Sequence, residues 1–137
     1  MMEFLAWYDP EVDVPVVVRS ASDLDRVIDV VKYDDGPTLI QLNALDPRDG
    51  LLVIGVFASK NRGTLLYRGP QGMWFSKGIA PYPGETLLYR YLDAEVDYPS
   101  DAEIPLHQVV KAAHDYLVDA RLPAGPTWQP PPTWYPA

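Results

Sequence analysis

The sequence predicts an α+β fold: a twisted antiparallel sheet, a meander of about five to seven strands, with two main helices packed mainly on one face. Three observations predict it. Two segments, residues 22–33 and 105–120, repeat apolar residues at helical spacing. Between them lie short apolar runs rich in β-branched and aromatic residues. The links between those runs are short, polar and end in Gly, which suits antiparallel pairs, because a parallel crossover needs about a dozen residues or more.

Residues 15–18 read as a first short strand, with Pro15 at its start, where a missing N–H is tolerated. In the first helix Ser22 is the expected cap and Asp25 follows three residues on, as a short capping box. Leu24, Val27, Ile28 and Val31 line one apolar face, and Gly36-Pro37 ends the segment. Strands are expected at 38–42, 51–58, 64–67 and 73–76, joined through 46–50, 59–63 and 68–72. A longer loop, 78–85, contains Pro81 and Pro83. The strand at 86–92 follows, with its alternation continuing through Asp93 to Tyr98.

The second helix places Pro105 at its first position, where the absent donor costs nothing. Leu106, Val109, Val110, Ala113 and Leu117 form its apolar face, with Lys111 and Asp115 opposite. Ser100 and Glu103 mimic a capping box, but that register would put Pro105 inside the helix. Pro123 and Gly125 close it. Thr127-Trp128 fits a last strand. Residues 1–129 read as one domain and 130–137 as a proline-rich tail, polyproline-like or loose.

The chain has 137 residues, 47% of them hydrophobic and 12% aromatic, enough for the core of a single domain and too apolar for disorder. Its net charge is −8, which repels nucleic acid and anionic membrane surfaces and favours a basic protein partner, although solubility alone also explains an acidic surface. The charge is segregated: residues 1–36 are net −6, 37–92 net +3 and 93–121 net −5. With no cysteine, disulfides, thiolate metal sites and thiol nucleophiles are excluded. The start lacks a basic, then long apolar stretch, and no run approaches the roughly 20 apolar residues of a membrane span. A cytoplasmic location is the expectation.

Chemistry-bearing patterns are sparse. His107 and His114 lie two helical turns apart, roughly 10 Å along the axis, too far to chelate one metal as an i, i+4 pair does. Asp93, Glu95 and Asp97 alternate; on a strand they share one face, with Ala94, Val96 and Tyr98 on the other. Such a row is a solvated strand face, a protein-binding acidic patch, a hard-cation site or an acid–base pair. No dinucleotide, P-loop, nucleophile-elbow or zincin motif accompanies it. Most of the aromatic residues suit a core; Tyr82 and Tyr98 are the candidates for exposed anchors.

One ordered set of residues goes further. Trp74-Phe75 follows a glycine-rich hairpin. Glu103-Ile104-Pro105-Leu106 with Val109-Val110 opens a helix, followed by Tyr116-Leu117, Arg121-Leu122-Pro123 and Thr127-Trp128-Gln129. This order, over about residues 38–129, resembles the immunity proteins of bacterial polymorphic toxin systems, in particular the family commonly found beside nucleic-acid deaminase toxins. The tail is longer and richer in proline than that pattern. The resemblance implies a non-enzymatic α+β domain, without catalytic residues, metal or cofactor, that binds the toxic domain of a cognate effector in the cytoplasm. Trp74, Pro105, Leu106 and Trp128 suit the role of fold determinants. From the charge segregation and the strand alternation, the expected partner-binding residues are Asp93, Glu95 and Asp97, with Tyr98 and Tyr82 nearby; nucleic acid and membrane are not expected partners. A small carboxylate-dependent hydrolase and an orphan interaction domain with a proline-rich docking tail are the competing readings.

Overall fold

Four apolar runs pair in chain order because the links between them are too short to do anything else. They are β3 (Thr38–Ala44), β4 (Leu51–Phe57), β5 (Arg62–Gly69) and β6 (Gly72–Ser76), each antiparallel to the next. The computed structural model describes residues 2–33, 36–78 and 86–135. The expected loop at 78–85 therefore lies almost wholly outside the described residues.

The turns use the polar residues that the sequence offers, with one change. Between β3 and β4 the Asp46 carboxylate accepts from the Arg48 N–H, and Gly50 takes φ +81°, where a Cβ would run into the Arg68 carbonyl. Between β4 and β5 the left-handed residue is Asn61, at φ +54°, and Gly63 lies inside β5 instead of ending the turn. Asn tolerates that conformation through its short polar side chain.

The sheet is wider than the meander. Its order is β10-β6-β5-β4-β3-β1-β2, with β1 (Phe4–Trp7), β2 (Val16–Val18) and β10 (Trp128–Gln129) added at the two sides. The first of these, which sequence periodicity did not predict, lies between β3 and β2 and pairs antiparallel with both. The short β9 (Ile104–Pro105) pairs with β5.

The helices are α1 (Ala21–Lys32) and α2 (Leu106–Asp119). The cap of α1 is Ser20, not Ser22: its hydroxyl accepts from the Asp23 N–H at 3.1 Å. Both serines have an Asp three residues on, so the sequence pattern fits either register. We expect Ser20→Ala to cost about 1 kcal/mol, seen as a lower urea midpoint at unchanged slope, and Ser22→Ala to cost less than about half of that. Pro105 lies just outside α2, in β9, not at its first position as expected; its side chain makes no cap, and the Leu106 N–H donates instead to the Asn61 carbonyl at 3.1 Å. The buried face of α2 is Leu106, Val109, Ala112, Ala113 and Tyr116. Val110 and Leu117, expected on that face, are only half-buried. The helix ends at Ala120, at φ +56°, three residues before Pro123.

Alternation along β4 divides the core into two layers. Leu52, Ile54 and Val56 join the cluster beneath α1 and α2, which also holds Phe4, Tyr67 and Tyr116. Leu51, Val53 and Phe57 face the other way, toward Leu39, Leu66 and Phe75. Both helices therefore cover one face, as expected, and the opposite face is covered too. Its cover is an antiparallel hairpin of β7 (Thr86–Tyr91) and β8 (Ala94–Pro99). One parallel bridge, Thr38 to Arg90, ties the hairpin to β3. Gly55 makes room for it: a Cβ there would lie 2.8 Å from the Tyr89 ring. The tail also returns to this face, where Tyr135 packs edge-on to Phe75 with ring centroids 5.1 Å apart.

Candidate partner-binding surface

The hairpin β7–β8 holds the acidic row, but not as one continuous strand. The expected alternation through Asp93 breaks at Leu92-Asp93, which form the turn, with Leu92 at φ +55°. Leu has no special tolerance of the left-handed region, so nothing in the residue types announced a turn there. Asp93 consequently stands at the hairpin tip, while Glu95 and Asp97 share the outer face of β8. Two steps along a strand separate those two by roughly 7 Å. All three carboxylates are exposed.

Across the hairpin, Glu95 lies opposite Arg90 and Asp97 opposite Leu88. The Thr86 hydroxyl donates to Asp97 Oδ1 at 3.4 Å, and Arg90 Nη2 donates to Thr38 Oγ1 at 3.3 Å. Leu88 is 51% exposed in the middle of this face. The outer surface is thus one large apolar side chain with Glu95 and Asp97 beside it and the exposed Arg90 opposite Glu95, a face whose carboxylates outnumber its one base and that suits a basic partner with an apolar contact point.

The inner face of the hairpin is what holds it still. Leu87, Tyr89, Tyr91, Val96 and Tyr98 pack against the second core layer. The Tyr98 ring meets Phe75 at 5.4 Å and Tyr89 at 5.5 Å, and Tyr89 meets Phe57 at 6.5 Å. The Tyr89 hydroxyl donates to Glu103 Oε2 at 2.7 Å, linking the hairpin to the segment that leads into α2. Burial, reinforced by the Glu103 carboxylate, pushes the Tyr89 phenol far above its ordinary range, so it stays protonated and donating. Burial does the same for Tyr98.

Tyr98 therefore does not stand among the exposed anchors. It is 1% exposed and supports the acidic strand from beneath, because successive side chains on β8 alternate between solvent and core. Tyr82 lies outside the described residues.

The structure adds residues that the spacing did not single out. Asp93 lines an open cleft of about 470 Å³ together with Tyr8, Asp9, Glu11, Thr38 and Arg90. Two acids of the N-terminal third, Asp9 and Glu11, are thus brought beside Asp93 at the hairpin tip. The only hint in the sequence was the net charge of −6 over residues 1–36. His114 Nε2 pairs with Asp25 Oδ1 at 2.7 Å across the two helices, and His107 is exposed. Among the described residues, no three His, Asp or Glu side chains are grouped to hold a metal ion. No described helix is long and apolar enough to cross a membrane.

The family model described as immunity protein Imm1 matches residues 13–130. No curated protein matches the chain.

Proposed function

The chain belongs to the Imm1 immunity protein family, and from that premise we propose that it neutralises the toxic domain of a cognate polymorphic toxin by binding it, without making or breaking a bond. The observation that carries the proposal is the exposed set of Asp93 at the tip and Glu95 and Asp97 on the outer face of a hairpin whose inner face is locked into an aromatic core. Fixed carboxylates lose little freedom on docking and present a potential complementary to a basic surface. A toxin that acts on nucleic acid, such as a deaminase, needs a basic groove for phosphates. An acidic hairpin takes the place of those phosphates and is steered there by long-range attraction. The site of action is the cytoplasm, where such a toxin meets its substrate. Nucleic acid and membrane are not partners of a chain with net charge −8.

The test is co-expression with the toxic domain encoded beside this chain. Survival of the host, together with co-purification of both chains as a stable complex, is the expected result. Survival without a complex, or death despite abundant folded protein, would count against the proposal.

A further inference from the structure

We infer that the toxin also adds an extended, basic segment as a new strand on the free edge of β2; this rests on the neutralisation reading above. Among the described residues, β2 ends the sheet and pairs only with β1. Val16 and Val17 point to opposite faces of the strand and each is 39% exposed, so the first two residues of this edge are open on both faces, while Val18 is buried in the core. Val12, at 44% exposure, and Val14, at 69%, lie in the irregular segment that leads into the strand. Val12, Val14 and Val16 border a narrow groove with Trp7.

An open apolar edge is an invitation to another strand, and sheets that must avoid it carry lysines or bulges there. This edge carries no base between Glu3 and Val18, and Arg19 is engaged with Glu3 at 2.9 Å. It carries acids instead: Asp9, Glu11 and Asp13 alternate through the approach to the strand. Asp9 shapes that approach, accepting from the Glu11 N–H at 2.9 Å through its carboxylate and from the Val12 N–H at 3.3 Å through its carbonyl.

Charge selects the occupant. A second copy of this chain offers no Lys or Arg from its own edge, residues 4–17, to match Asp9, Glu11 and Asp13. A segment carrying both apolar residues and Lys or Arg meets Val16 and Val17 with the former and the preceding Asp9, Glu11 and Asp13 with the latter. The edge is also continuous with the hairpin surface, because Asp9 and Glu11 line the same cleft as Asp93. One partner reaches both.

The experiment uses the full chain with the toxic domain that co-purifies with it. Hydrogen exchange of the complex against the free chain is expected to show protection gained at residues 12–18. In parallel, the double variant Val14→Lys, Val16→Lys is expected to weaken binding about a hundredfold. The control Val118→Lys, which changes a residue 77% exposed on α2, is expected to change affinity less than about threefold. A complex that forms without new protection at 12–18, equal losses in the double variant and the control, or a free chain that already dimerises through this edge would each overturn the inference. The exchange measurement needs no variant and stands even if the double variant folds poorly. Absence of any complex would instead remove the neutralisation reading itself.

Discussion

With Asp93, Glu95 and Asp97 replaced by Asn, Gln and Asn, the toxin should associate about ten- to a hundredfold more slowly at low ionic strength. The side chains keep their size, so the loss isolates charge. Dissociation should change less, because carboxylates at an exposed rim act mainly on encounter and the contact at Leu88 is untouched. Salt should reproduce the same effect in the native chain. At about 0.1 M the screening length is already near 10 Å, so the native and neutralised proteins should converge in rate as salt rises. Stability should stay within about 0.5 kcal/mol of the native protein, since none of the three is buried. Rapid-mixing kinetics at low and high salt make the comparison. An association rate that ignores both the substitutions and the salt would remove this face from the interface.

Phe75→Ala should be the most damaging single change to the fold, at about 3–5 kcal/mol. Phe75 is fully buried, with Tyr98 on one side at 5.4 Å and Tyr135 on the other at 5.1 Å. Removing the ring opens a cavity between the sheet, the hairpin and the returning tail, and it withdraws two edge-to-face contacts at once. Against a total stability of about 10 kcal/mol for a domain of this size, the loss should lower Tm by roughly 10–15 °C. The near-ultraviolet circular dichroism of the stacked tyrosines should weaken with it. Toxin binding should fall as well, because the hairpin that presents Glu95 and Asp97 loses the layer that positions it. A Tm within a few degrees of the native value would mean that this layer is not the anchor described.

The two predictions separate what the sequence made legible from what it did not. The meander from Thr38 to Ser76 was legible because each apolar run is bounded by polar residues and glycine, and short links leave antiparallel pairing as the only option. The helices were legible from their apolar stripes, although two serines with identical spacing to an Asp left the cap of α1 ambiguous. The hairpin was not. Its turn is Leu92-Asp93, with a leucine in a conformation that leucine rarely takes, so local residue chemistry argues for a strand running straight through. The second covered face was equally hidden. A continuous apolar run such as Leu51–Phe57 shows that both sides of a strand are buried, without saying what buries them.

The same limits shaped the candidate site. Alternation correctly put Glu95 and Asp97 on one face and Val96 and Tyr98 on the other. It does not tell that the face opposite the acids is covered, and so Tyr98 reads as an exposed anchor when it supports the acids from below. Asp9 and Glu11 are more than eighty residues from Asp93 in the chain, and only the placement of the hairpin tip over β3 brings them to one cleft. Pattern along a sequence carries no such proximity; the sheet order does.

The central claim is that this chain disarms its toxin by occupying it, molecule for molecule. Titrating the purified toxic domain with the chain, while following the toxin's own activity, tests that claim most directly. The account predicts a linear fall to zero activity at one equivalent, with the masses of both chains unchanged. Inactivation by a small fraction of an equivalent, or full activity with the chain in large excess, would contradict it.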